Sequence, residues 1–309
     1  MNSGTNKIGW AAATVILATL LASGQNIKVT LLGTGYPRPV MSRFGPSILV
    51  EAGAEKLLFD CGRGATQHLY QLNVAFSRVN VLFLTHLHSD HVVDIPDFWL
   101  TGWILGRKGS LQIFGPAGTK EMMSHLQQAY AFDIHIRRDV DEQLPALGVV
   151  VEAKDIEQGV VYGNGGVKVT AFTVDHGAVK PALGYRVDYN GHSVVMSGDT
   201  RLSENLIHFA QGTDVLIHEV IDPEAYNSSH TVFSKEQMAK VIAHHTTPDQ
   251  AGSVFSRVKP KLAVYSHIVP WDADDLIPRT RKTYSGPLEV GEDLMSIDIG
   301  RTIEVHRPH

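Results

Sequence analysis

Phe83-Leu84-Thr85-His86-Leu87-His88-Ser89-Asp90-His91 is the stretch on which the reading of this chain turns. An apolar run delivers its end into three histidines and a carboxylate within six residues. Side chains alternate along an extended chain, so His86 and His88 point the same way, and a turn can then bring Asp90 and His91 around. Imidazole nitrogen and carboxylate oxygen form the donor set that borderline divalent ions such as zinc prefer. A polar loop with chance histidines is the bland alternative, but it has no reason to set each ligand type at a working offset. One cluster cannot fill two coordination spheres, so further ligands are expected at other strand ends. His176 follows an apolar run at 169–174, Asp199 follows one at 194–196, and His267 follows one at 262–265. Each alone reads as a capped or surface polar residue. Together, each after an apolar strand, they complete a set.

Around these motifs the pattern is that of a mixed α/β chain. Short β-branched and aromatic runs bounded by Gly and Pro predict strands at 27–32, 47–51, 56–59 and 79–84, and later at 149–153, 160–162, 167–173, 184–189, 193–196, 215–217 and 262–265. Helical patterns cover 64–72, 119–130, 203–210, 234–243 and 248–258. Tyr189-Asn190-Gly191-His192 places Asn-Gly between apolar runs, a hairpin signal. No linker of low complexity and no solenoid-length repeat divides the chain, so a single α/β domain with sheets inside and helices outside is expected.

Composition bounds the rest. Of 309 residues 43% are hydrophobic and 19% charged, which is ordinary for a globular protein. Net charge is −5 and no basic run occurs, so a nucleic-acid partner is not expected, while a small anionic substrate can still be bound locally through metal ions. Lys7, the apolar residues 8–22 and Ser23-Gly24-Gln25 read as a secretory signal peptide spanning 1–24 and cut after Gly24. Its apolar core of about 15 residues is shorter than the roughly 20 that span a bilayer, and an uncleaved anchor is the alternative. The expectation is therefore a secreted or periplasmic domain over 25–309, without a stable membrane span after cleavage, and compatible with a homodimer. Cys61 is the one cysteine, so stability must come from core packing rather than disulfides.

Leu32-Gly33-Thr34-Gly35, Phe59-Asp60-Cys61-Gly62, the histidine-rich segment, Gly198-Asp199-Thr200-Arg201 and His218-Glu219 occur in an order that resembles the metallo-β-lactamase fold superfamily, in the branch with ribonuclease Z, arylsulfatase and cyclic-nucleotide phosphodiesterase. The resemblance covers the chain beyond the leader and implies a four-layer αββα sandwich. It implies one metal ion held by His86, His88 and His176, a second held by Asp90, His91 and His267, and Asp199 bridging both. Two divalent ions are implied, Zn2+ by ligand type, with Mn2+ or Fe2+ able to occupy such sites. A bridging carboxylate keeps two cations close, and their field lowers the pKa of a shared water to give a metal-bound hydroxide nucleophile alongside Asp90. Asp60 resembles a carboxylate that orients a ligand histidine.

By the same resemblance, Glu219 and His245 match a Glu/His pair that protonates the leaving group; a structural hydrogen bond between two loops is the alternative. Trp99 and Trp103 either line the substrate mouth or pack, Cys61 reads as a small buried residue, and His68, His125, His135, His192, His208 and His230 lack motif context. In ribonuclease Z a long arm that grips tRNA lies between the positions of His176 and Asp199. Here that interval, 177–198, is short, and Arg63 stands where the family has Glu. The expected function is thus a secreted dinuclear hydrolase of phosphodiester or aryl sulfate esters. The alternatives are an arm-less ribonuclease Z-type endoribonuclease processing tRNA 3′ ends, a lactonase, and a non-enzymatic metal-binding envelope protein.

Overall fold

The computed structural model describes residues 26–228, 232–270 and 274–308, so the leader segment and His230 lie outside the described residues. Fifteen strands form among the described residues: β1 (Ile27–Gly33), β2 (Ser47–Ala52), β3 (Glu55–Phe59), β4 (Val81–Phe83), β5 (Leu111–Gly115), β6 (Val151–Asp155), β7 (Gly159–Asn164), β8 (Val167–His176), β9 (Val179–Tyr189), β10 (His192–Met196), β11 (Val215–Ile221), β12 (Leu262–Val269), β13 (Leu288–Val290), β14 (Ser296–Ile299) and β15 (Ile303–His306). They make two sheets, ordered β15-β14-β1-β2-β3-β4-β5-β6 and β13-β12-β11-β10-β9-β8-β7.

The period-2 alternation of these strands sorts their side chains into three apolar layers. Val29, Leu57, Phe59, Val81 and Phe83 from the first sheet meet Tyr185, Val187, Val194, Ile217 and Val264 from the second in the central layer. Their sequence neighbours point outward. Leu58 and Leu82 pack beneath the helices Ala65–Gln71, Ile95–Ile104 and Thr119–Ala129. Val195, Leu216 and Ala263 pack beneath Glu204–Phe209, Pro248–Val258 and Leu276–Thr280. The result is the expected order of helices, sheet, sheet, helices.

Most expected elements form, with shifted ends. The strand expected at 149–153 starts at Val151 because Pro145 is followed by a 3-10 turn, Ala146–Val149. The strand expected at 79–84 shortens to β4 after another such turn, Phe76–Arg78. Asn190 and Gly191, both at positive φ, turn β9 into β10 with Tyr189 paired to His192, as the Asn-Gly signal implied. Helix Ile95–Ile104 was not legible, because six of its ten residues are buried and only Asp97 and Thr101 mark its outer face with polar side chains. The three short strands near the end, β13 to β15, also lacked a usable pattern.

One hydrogen bond ties the sheets directly below the histidine segment: the buried Tyr185 hydroxyl of β9 donates to the Leu84 carbonyl oxygen at 2.6 Å. Tyr185→Phe should leave that acceptor unpaired and lower the unfolding free energy by about 1 kcal/mol. A urea titration reads this as a lower midpoint with the slope unchanged; a midpoint equal to wild type contradicts it.

Candidate metal centre

Parallel pairing brings the carboxyl ends of several strands to one edge. β3 runs parallel to β4, and β10, β11 and β12 run parallel to one another. In open α/β sheets that edge is where ligands bind. Asp60 follows β3, and His86 follows β4 after Leu84 and Thr85. Asp90 and His91 ride on the single turn Ser89–Val92. His176 ends β8, Asp199 follows β10, Glu219 lies in β11 and His267 lies in β12.

Two irregularities aim these side chains. The β11/β12 register slips between His218 and Val220, so Glu219 faces both Ser266 and His267, and His267 sits at φ 46°. Such a bulge bends the strand and redirects a side chain. Asp60 also adopts positive φ, 55°. Left-handed backbone at non-glycine residues costs of order 1 kcal/mol each and persists where the surroundings impose it. Gly198, at φ 59°, permits the turn into Asp199, since a Cβ there would meet the Leu183 carbonyl oxygen at 2.5 Å.

The seven expected ligand residues converge. His86, His88, His176 and Asp199 offer donor atoms all within 4.8 Å of one another, and Asp90, His91 and His267 form a second such group. Asp199 joins them. Its Oδ2 lies 3.3 Å from His267 Nε2 and 3.9 Å from both His86 Nε2 and His176 Nε2, while Oδ1 lies 3.4 Å from His91 Nε2. Asp90 Oδ2 is 3.4 Å from His267 Nε2. All but His88 are buried.

A surrounding set of hydrogen bonds fixes which ring nitrogens face inward. Asp60 accepts from Thr85 N and Thr85 Oγ1, each at 2.8 Å, and from His91 Nδ1 at 2.8 Å. Thr85 Oγ1 also lies 3.0 Å from His86 Nδ1. His176 Nδ1 donates to the His244 carbonyl oxygen at 3.1 Å. In each ring Nε2 is left for the centre, the arrangement in which an outer partner orients a metal-ligating imidazole. Thr85 carries no metal-binding signal of its own, and its role was invisible before folding.

The donor set fits a cation. His86 Nε2, His91 Nε2 and Asp199 Oδ1 are buried without a hydrogen-bond partner, which a native site tolerates when something else binds those atoms. Burial pushes the imidazoles of His86 and His176 below their ordinary range, His176 to about 4, so both hold free lone pairs at neutral pH. Burial also opposes charge on His91, yet Asp199, Asp60 and Asp90 outweigh it and hold its pKa well above the usual value. Positive charge is therefore favoured at the spot where the carboxylates meet.

Glu219 and His245 stand beside this cluster. Glu219 Oε1 accepts from Thr200 N at 3.1 Å and Thr246 N at 3.0 Å, and lies 3.2 Å from His245 Nδ1, although that nitrogen is not aligned as a donor. Burial, then the nearby Asp199 charge, pushes the Glu219 carboxyl well up, while burial pushes His245 down to about 4. His245 also offers a nitrogen within 4.8 Å of donor atoms of Asp199 and His267.

The remaining sequence candidates are structural. Trp99 and Trp103 are fully buried in the outer layer, where their indole N–H groups donate to the Val149 and Pro145 carbonyls, each at 2.9 Å; the pocket role does not hold. Cys61 is buried in the same layer. His68 stacks on Phe44 and bonds the Leu32 carbonyl, His192 approaches Asp214, His125 and His135 pair with acids one helical turn away, and His208 lies edge-on to Phe209. No helix among the described residues is long and apolar enough to cross a membrane.

Comparison with known proteins places this geometry. The family described as Beta-lactamase superfamily domain matches residues 55–268. Ribonuclease Z of Mycolicibacterium gilvum (strain PYR-GCK) is 33% identical over 280 residues, covering 88% of this chain and 96% of that protein. Ribonuclease Z of Mycobacterium marinum is 32% identical over 282 residues, covering 88% and 99%. Among solved structures, a metallo-beta-lactamase fold protein from Bacillus subtilis matches with a TM-score of 0.69 at 19% identity, over 88% of this chain and 99% of that one. Human tRNase Z, short form, matches with 0.65 at 21% identity, over 88% and 99%. Unliganded yeast PDE1 matches with 0.62 at 13% identity, again over 88% and 99%. At such identities the structural matches speak for the fold alone.

Asp60→Asn tests the outer set of hydrogen bonds. It should leave the fold intact and weaken metal retention by roughly ten- to a hundred-fold, because His91 loses the carboxylate that orients it. Metal analysis across a graded chelator series reads the change; retention equal to wild type contradicts it.

Proposed function

The chain belongs to the beta-lactamase superfamily, and from that premise we propose that it is a metal-dependent phosphodiester hydrolase of the ribonuclease Z type. The observation that carries this reading is the pair of donor groups joined at Asp199 with Glu219 and His245 beside them. His86, His88 and His176 would hold one divalent ion, Asp90, His91 and His267 a second, with Asp199 shared. Two such ions, when bound, supply Lewis-acid charge for phosphoryl oxygens and an activated water.

The protein's own residues do the remaining work. Asp60 and Thr85 keep His91 and His86 turned inward. Glu219, locked by two backbone N–H groups, lies beside His245 at the edge of the centre, where the pair would deliver a proton to the departing oxygen. Burial excludes water from all of these groups except His88, which is exposed.

Sequence reading favoured small phosphodiesters or aryl sulfates over RNA, because the interval 177–198 holds no arm. That objection weakens here: the mycobacterial proteins named Ribonuclease Z are matched over 96% and 99% of their own lengths, leaving little room for a large insertion. RNA cleavage is accordingly the leading activity, and aryl sulfate hydrolysis has no support from the relatives. Export through the leader segment 1–24 is a separate proposal that rests on Lys7, the apolar residues 8–22 and the small residues before Gln25.

The metal-supplemented protein should cleave a precursor tRNA and bis-p-nitrophenyl phosphate and leave p-nitrophenyl sulfate intact. No turnover of either phosphodiester with zinc or manganese sinks the reading. Asp199→Ala should lose metal and activity together. Glu219→Ala should keep both ions and slow poor leaving groups by about a hundred-fold, good ones far less. Equal slowing across leaving groups assigns Glu219 a purely structural part.

A further inference from the structure

Two histidines sit side by side in the short connection between the helices Lys235–Ala243 and Pro248–Val258, and only one is absorbed by the reading above. His245 is buried against Glu219. His244 is half-buried, with its ring 4.7 Å from that of His176 and 4.8 Å from that of His245. Its backbone is fully used, since its carbonyl oxygen receives His176 Nδ1. Its ring nitrogens have no hydrogen-bond partner among the described residues. His68 and His218, by contrast, each spend a ring nitrogen on a backbone carbonyl.

The fold makes room for this ring. Gly177 forms the turn between β8 and β9 at φ 65°, and a Cβ on it would lie 3.0 Å from the His244 Cβ. A ring nitrogen of His244 is within 4.8 Å of nitrogens of His176 and His245, so an unspent donor overlooks the first donor group from its more exposed side. His176 already directs Nε2 toward Asp199 and Nδ1 toward a carbonyl, so the first group is complete without His244.

We propose that His244 is a substrate-binding residue whose imidazole N–H donates to a non-bridging oxygen of the phosphodiester, beside the proton-delivering pair. This rests on the phosphodiester reading for its substrate class. Nothing in the residue types of Ala243-His244-His245-Thr246-Thr247 separates the outer histidine from the inner one.

The test compares wild type, His244→Ala and His244→Gln on bis-p-nitrophenyl phosphate, with inorganic phosphate binding to the metal-loaded proteins measured by calorimetry. In His244→Ala, KM should rise about tenfold with kcat changed less than about threefold, the effect of losing one hydrogen bond to a charged group. Phosphate affinity should fall in parallel, His244→Gln should recover part of both, and metal content should stay at the wild-type value. Unchanged KM and phosphate affinity overturn the proposal. So does loss of a metal equivalent in His244→Ala, which makes the residue a ligand. A wild type that binds phosphate in a His244-dependent way yet cleaves no phosphodiester keeps the binding role and removes only the phosphodiesterase reading.

Discussion

Asp199 is the position on which the rest of this structure depends. Its two carboxylate oxygens lie between 3.3 and 3.9 Å from imidazole nitrogens of four histidines drawn from three different parts of the chain, in a spot closed to water. Bringing so many lone pairs together is unfavourable unless a positive charge reconciles them. The fold accepts that burden together with two left-handed backbone residues, Asp60 and His267, and a bulge in a parallel strand pair. Costs of this kind concentrate at functional sites, where surrounding packing over-determines the local conformation.

The packing that does so is the αββα sandwich. Its central layer joins two sheets whose parallel strands end on the same edge, and the Tyr185 hydroxyl clasps the first sheet directly under the histidine segment. Hydrogen bonds then convert a rough gathering of side chains into an ordered one. Asp60, Thr85 and the His244 carbonyl each occupy the outward nitrogen of a ring, so tautomer and orientation are set before any ion arrives. The centre is preorganised by its outer partners as much as by its ligands.

Much of this was legible from the residues alone, for physical reasons. The apolar runs of β3, β4, β10 and β12 are nearly continuous because each strand is buried on both faces, and chemistry-bearing residues at strand ends stand out against such runs. The seven donors stood out that way, and the superfamily resemblance divided them into two groups and pointed to the orienting Asp60. What stayed hidden depends on tertiary contact. Helix Ile95–Ile104 is too apolar to show its period, so the sequence left Trp99 and Trp103 open between mouth and core until their buried N–H bonds placed them in the core. Thr85 and His244 owe their places beside the centre to residues distant in sequence, Asp60 and His176, and no spacing rule reports such contacts. The short interval between His176 and Asp199 weighed against RNA as a substrate, and the end-to-end match to relatives named Ribonuclease Z takes much of that weight away.

These seven side chains should hold two cations around Asp199. Anomalous diffraction from crystals of the metal-loaded protein measures this directly. Two peaks roughly 3.5–4 Å apart should appear, one contacted by His86, His88 and His176, the other by Asp90, His91 and His267, with an Asp199 oxygen on each side. A single peak, or two peaks that do not share Asp199, contradicts it.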